Sequence, residues 1–281
     1  MARIVAGVGC SHVPAVGVAI DKDRHDDPYW APYFAKIAPA REWMRDIAPD
    51  VCIVVYNDHA SAFSLEVIPT FALGLAAGFP VADEGYGPRP VPPVVGHPEL
   101  AWHLAESLIL DEFDLTLVNE MAVDHGLTVP LSVLFGRPSA WPCKVIPLCV
   151  NVIQYPPPTG RRCHRLGRAL RRAVDAWPGD ERVAVLGTGG MSHQRHGQRA
   201  GLINTDFDGA FLDGLVADPG KVAEIGHTEY LREAGAEGIE LVMWLVMRGA
   251  LDPEVNEVYR ATHVPTSNTH NGLLLLENAA P

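Results

Sequence analysis

Three histidines stand just past short apolar runs of the kind that form buried β-strands. His12 follows Arg3-Ile4-Val5-Ala6-Gly7-Val8-Gly9, His59 follows Val51-Cys52-Ile53-Val54-Val55-Tyr56, and His193 follows Val183-Ala184-Val185-Leu186-Gly187. In open α/β sheets, ligands bind outside the carboxyl ends of the strands. Three imidazoles delivered to that rim point to metal binding or proton transfer, both within reach of a side chain that titrates near neutral pH. Glu240 adds a carboxylate. It lies inside Ile239-Glu240-Leu241-Val242-Met243-Trp244-Leu245-Val246-Met247, otherwise apolar all round, which is how a buried helix reads. A carboxylate there needs a partner, either a metal or an arginine or lysine from elsewhere in the chain.

His12, His59 and Glu240 together could occupy one face of an octahedral ferrous ion and leave positions open for substrate and oxygen. Two imidazoles and a carboxylate also suit catalytic zinc, so the donor set alone leaves the metal open. Glu237, one turn before Glu240, is the rival carboxylate in a less apolar setting. Asp58 can orient the neighbouring imidazole, or serve as a turn residue after the strand. His125, in Val123-Asp124-His125-Gly126, follows another strand and can reach the same rim. Val264-Pro265-Thr266-Ser267-Asn268-Thr269 reads as a short polar loop whose neutral donors could hold a carboxylate. The remaining histidines have no context that lifts them above surface or packing roles.

The elements that must position these groups are legible as apolar runs at 3–9, 51–56, 115–118, 145–150 and 183–187, with helical patterns between several of them. Helices are expected from Pro98, with Glu99 in the first turn, and over 165–177 and 206–216. Alternating strands and helices give an α/β fold: a single domain spanning 1–281, with a mainly parallel or mixed central sheet and helices on both faces. Pro-rich stretches at 88–98 and 156–158 are loops with a stiff backbone.

The chain has 281 residues and is 48% hydrophobic, enough for a sizeable core without disulfide or metal staples. Its five cysteines form no CxxC pair, which suits a reducing cytoplasm. No signal peptide or membrane span is indicated. A formal net charge of -12, with no basic stripe, argues against a nucleic-acid partner. It also means that any site for an anion must be built locally. The arginines between Arg161 and Arg172 read as a solvated helix face. Neither Gly7-Val8-Gly9 nor Gly187-Thr188-Gly189-Gly190 completes a dinucleotide or P-loop motif, and Ser192 lacks the GxSxG elbow of a hydrolase.

Taken together, several segments resemble the β subunits of protocatechuate 4,5-dioxygenases, within the class III extradiol ring-cleaving dioxygenases. They are Ser11-His12-Val13-Pro14, Tyr56-Asn57-Asp58-His59-Ala60-Ser61, Asp83-Glu84-Gly85-Tyr86-Gly87-Pro88, Asp124-His125-Gly126, Gly187-Thr188-Gly189-Gly190-Met191-Ser192-His193-Gln194, Gly238-Ile239-Glu240-Leu241 and Pro265-Thr266-Ser267-Asn268. The match spans nearly the whole chain. The resemblance implies Fe(II) held by His12, His59 and Glu240, with His193 as the acid/base. It also implies His125 beside the substrate, and Ser267 and Asn268 near the ring carboxylate.

The implied reaction uses O2 to open a carboxylated catechol, protocatechuate giving 4-carboxy-2-hydroxymuconate semialdehyde, with gallate or an O-methylated gallate as the alternative ring. A zinc-binding or metal-free binding protein or hydrolase on the same fold is the alternative of another class. The family pairs this subunit with a small helical α subunit in a hetero-oligomer. No segment here corresponds to that subunit, and the family pattern leads one to expect a longer tail after Leu273-Leu274-Leu275-Leu276.

Overall fold

The computed structural model describes residues 1–266 and 268–279. Strands β1 (Arg3–Cys10), β2 (Val51–Tyr56), β3 (Phe71–Gly74), β4 (Gly78–Phe79), β5 (Val94–Val95), β6 (Thr116–Val118), β7 (Lys144–Val150), β8 (Arg182–Thr188), β9 (Val255–Thr266) and β10 (Thr269–Asn278) are joined by helices and loops. All but β4 and β5, which pair with each other, form one mixed sheet in the order β6-β3-β7-β2-β8-β1-β10-β9. Its centre, β7-β2-β8-β1, is parallel, while β10 runs antiparallel to β1 and β3 antiparallel to β7. The α/β expectation holds.

Alternation explains why the central runs look uniformly apolar. Val51, Ile53 and Val55 face one core, whereas Cys52, Val54 and Tyr56 face the other. A strand buried on both faces has no polar side to show. On one face lie α1 (Pro14–Asp21), α2 (Ala31–Ile47) and α4 (His125–Phe135). On the other lie α3 (Pro98–Leu110), α5 (Gly160–Ala176) and α6 (Thr205–Ala217), and beyond the short α7 (Pro219–Val222) and α8 (His227–Glu229) comes α9 (Val242–Ala250). Thr159 caps α5 through the Arg162 N–H. Cys163, Leu166, Leu170 and Val174 of α5 face inward, and Arg161, Arg165, Arg168 and Arg172 stay in solvent, as the arginine spacing suggested.

Two elements depart from the expectation. The polar loop expected over 264–269 is largely the end of β9 and the start of β10, and Asn268, just before β10, takes a positive φ of 56°. Asn tolerates that backbone better than most residues. The helix expected at Glu240 begins as a tight 3-10 turn, Gly238–Leu241, before α9 takes over.

α9 lies directly on β1 and β8 because those strands carry glycine where it crosses. A Cβ on Gly9 would sit 2.3 Å from the Trp244 ring. One on Gly189, whose φ is +127°, would sit 2.7 Å from the Glu240 Cβ. Gly9→Ala is therefore expected to overpack this seam and destabilise the protein by about 1–3 kcal/mol. Denaturant unfolding checks this, and a stability equal to wild type would show that the seam is loose.

Candidate active site

The carboxyl ends of β1, β2 and β8 share one rim, and His12, His59 and His193 lie just beyond them. His125 arrives by another route. β6 runs opposite to the central strands, so residues 119–124 carry the chain back to the rim, where α4 begins. The four imidazoles and Glu240 line one cavity of about 600 Å³. His12, His125, His193 and Glu240 are buried, and His59 is half-buried.

Each ring is held from behind at Nδ1. His12 Nδ1 lies 3.0 Å from the Thr188 hydroxyl, and His59 Nδ1 lies 3.0 Å from Asp124 Oδ2. His125 Nδ1 bonds Glu84 Oε1, and His193 Nδ1 lies 2.7 Å from the Met191 carbonyl oxygen. A carboxylate or carbonyl only accepts, so in the last three rings Nδ1 carries the proton and the neutral ring keeps its lone pair at Nε2. That is the tautomer needed for a ligand or a base. The Asn57 amide nitrogen donates to His59 Nε2 at 3.1 Å, and Asn57 Oδ1 is buried with no partner among the described residues. A metal bound at Nε2 would take the place of that amide.

Glu240 finds no arginine or lysine among the described residues. Its Oε2 accepts the Gly190 N–H at 2.6 Å and lies 3.4 Å from His12 Nε2 and 3.9 Å from His193 Nε2. Burial works to raise its pKa, but His12, then His193 and His59, outweigh it and hold the carboxyl well below the usual range. Burial lowers the pKa of His12 against the pull of Glu240. For His59, burial is outweighed by Asp124 and the pKa rises; for Asp124, burial is outweighed by His59 and then His125, and the pKa falls. The site thus presents an anion, imidazole lone pairs and a buried orienting carboxylate, which suits a divalent cation.

Ligand atoms of His12, His59 and His125 also lie within 4.8 Å of one another, so His125 competes with Glu240 for the third position. Ring orientation weighs against it. His59 and His125 lie nearly face to face, with centroids 3.9 Å apart and planes at 32°. A metal sits in the plane of each ligating ring about 2 Å from its nitrogen, which two stacked rings cannot easily share. His12 and His59 stand at 85°, and their planes can meet at a common point.

Other candidates separate from this cluster. Glu237 lines the cavity, where its Oε2 accepts the Arg195 N–H at 3.2 Å. Asp58 accepts the N–H groups of Ser61, Ala62 and Phe63, a turn role. Asn268 is exposed, and Ser267 lies outside the described residues. Sequence reasoning gave no role to Asp124, Glu84 or Thr188. One oxygen of Asp124 caps α4 through the Gly126 N–H at 2.8 Å. Sequence reasoning also missed Asp208, wholly buried beside Ser192, which accepts from Ser192 Oγ and bonds His270 Nδ1 at 2.6 Å. With its hydroxyl turned to Asp208, Ser192 is no nucleophile.

Residues 6–271 match the family of catalytic LigB subunits of aromatic ring-opening dioxygenases. The chain belongs to this family. Among its relatives, a gallate dioxygenase of Pseudomonas putida is 46% identical over 198 residues, covering 70% of this chain and 58% of that enzyme. The chain thus spans less than two thirds of the length of that gallate dioxygenase. A 2,3-dihydroxyphenylpropionate/2,3-dihydroxicinnamic acid 1,2-dioxygenase of Mycolicibacterium vanbaalenii is 30% identical over 278 residues, covering 80% of this chain and 84% of the relative. A crystal structure of an uncharacterized Escherichia coli K12 protein, JW3007, superposes with a TM-score of 0.57 at 15% identity, covering 98% of this chain and all of that one. This last likeness concerns the fold.

If Asp124 sets the His59 ring, Asp124→Asn should weaken binding of a divalent metal by about 10–100-fold. Chelator competition measures this, and unchanged affinity would remove Asp124 from the site's support.

Proposed function

We propose that this chain opens a carboxylated catechol-type ring by extradiol cleavage with O2, using Fe(II) held by His12, His59 and Glu240. The observation that carries this reading is the convergence of imidazole Nε2 atoms on a buried carboxylate that lacks any arginine or lysine among the described residues. Family membership favours iron over zinc for that donor set. The likeness to a gallate dioxygenase moves the preferred ring from protocatechuate toward gallate. A small helical partner subunit and the roles of Ser267 and Asn268 at the ring carboxylate belong to the same proposal and rest on the sequence resemblance.

Bound iron would supply Lewis-acid and redox chemistry, acidifying the ring hydroxyls and coupling the ring's electrons to dioxygen. The protein's residues do the rest. His193 keeps Nδ1–H on the Met191 carbonyl, so its Nε2 faces the cavity as a base that takes a hydroxyl proton and later returns it. His125, fixed by Glu84, stands beside the ring as a second polar contact. Val13, Val152 and Ile239 supply apolar wall that limits water around the ring.

Anaerobic reconstitution with Fe(II), followed by oxygen uptake on adding gallate or protocatechuate, tests the proposal. His193→Ala should keep its iron while turnover falls by about 10²–10⁴-fold, whereas Glu240→Ala should lose the iron. Iron lost from His193→Ala, or wild-type protein that binds no iron, would overturn the assignment.

A further inference from the structure

A carboxylated ring approaching this protein meets a net charge of -12, and inside the cavity it meets Glu237 and Glu240. Among the described lining residues, Arg195 is the only arginine or lysine. Its backbone is pinned. The Arg195 N–H donates to Glu237 Oε2 at 3.2 Å, the neighbouring Gln194 carbonyl accepts the Gly201 N–H at 2.8 Å, and the His193 N–H donates to the Ala234 carbonyl at 2.8 Å. Farther along the same loop, the Arg199 guanidinium bonds the carbonyl oxygens of Leu231 and Arg232, tying residues 193–201 to the 231–237 segment. The Arg195 side chain is exposed and makes no ion pair with any described residue, so its guanidinium is available to a ligand.

Position supports the same use. Arg195 follows His193 by two residues, so their Cα atoms lie within about 7 Å of each other. Arg195 lines the same cavity as His193 and is exposed, so its long side chain is within reach of the far substituent of a ring bound at His193. Guanidinium offers a planar fork of donors that matches a carboxylate. The donors expected from the sequence, Ser267 and Asn268, are neutral, and Arg195 adds a positive charge to them.

We propose that Arg195 is a charged anchor for the ring carboxylate, acting with the neutral donors Ser267 and Asn268, and sets this cavity's preference for carboxylated over uncharged catechols. The proposal rests on the ring-opening reading and adds a recognition residue to it. Its test is anaerobic calorimetry of Fe(II)-loaded protein with two ring pairs, gallate against pyrogallol and protocatechuate against catechol, in wild type, Arg195→Gln and Arg195→Lys.

Arg195→Gln should weaken gallate and protocatechuate by about tenfold or more, the loss typical of a charged hydrogen bond. Pyrogallol and catechol should change by less than about twofold, and Arg195→Lys should recover part of the loss as a point charge without the fork. Equal weakening within each pair, or no weakening of either carboxylated ring, would overturn the assignment while leaving the ring-opening reading intact. Wild-type protein that bound none of the four rings would overturn both.

Discussion

A buried carboxylate with no arginine or lysine beside it among the described residues governs this structure. Removing Glu240 from water costs several kcal/mol unless its charge is matched. The matching groups are imidazoles, His12 at 3.4 Å and His193 at 3.9 Å, together with the Gly190 N–H. Imidazoles stabilise an anion fully only when protonated. In neutral form, with lone pairs turned inward, they leave the charge for a cation to balance. That arrangement makes the site a place for a divalent metal.

Much of the fold follows from bringing those groups together. Glu240 reaches the rim because Gly9 and Gly189 let the 3-10 turn and α9 lie flush against β1 and β8. Trp244 covers Gly9 and donates its indole N–H to the Gly189 carbonyl at 3.3 Å, locking helix to sheet one turn beyond the carboxylate. Behind the rim, a ring of oxygens from Thr188, Asp124, Glu84 and the Met191 carbonyl fixes one nitrogen of each histidine. Asp124 serves twice, capping α4 and orienting His59, so helix placement and ring orientation are set by one side chain.

The sequence showed what depends on local pattern. Continuous apolar runs gave the central strands, and the position of His12, His59 and His193 past their ends placed them on one rim. The carboxylate in an apolar segment singled out Glu240, although its alternative partner, an arginine or lysine, is not found among the described residues. What stayed hidden depends on distant pairing. Glu84 is 41 residues from His125 in the chain, and Asp124 is 65 from His59. No spacing rule announces such contacts. The β9-β10 hairpin was read as a loop because Thr266, Ser267 and Asn268 look polar, while strand pairing there is decided by the Leu273–Leu276 run packing into both cores. His125 was placed correctly for an incomplete reason, since β6 runs against the central strands and the chain must cross back to the rim.

We propose one metal between His12, His59 and Glu240, with His125 and His193 left free to act on substrate. A crystal grown anaerobically with Fe(II), with anomalous scattering recorded at the iron edge, tests this most directly. One strong peak is expected within coordination distance of His12 Nε2, His59 Nε2 and a Glu240 oxygen, with His125 Nε2 beyond it. A peak held by His12, His59 and His125 with Glu240 unligated would contradict the proposal.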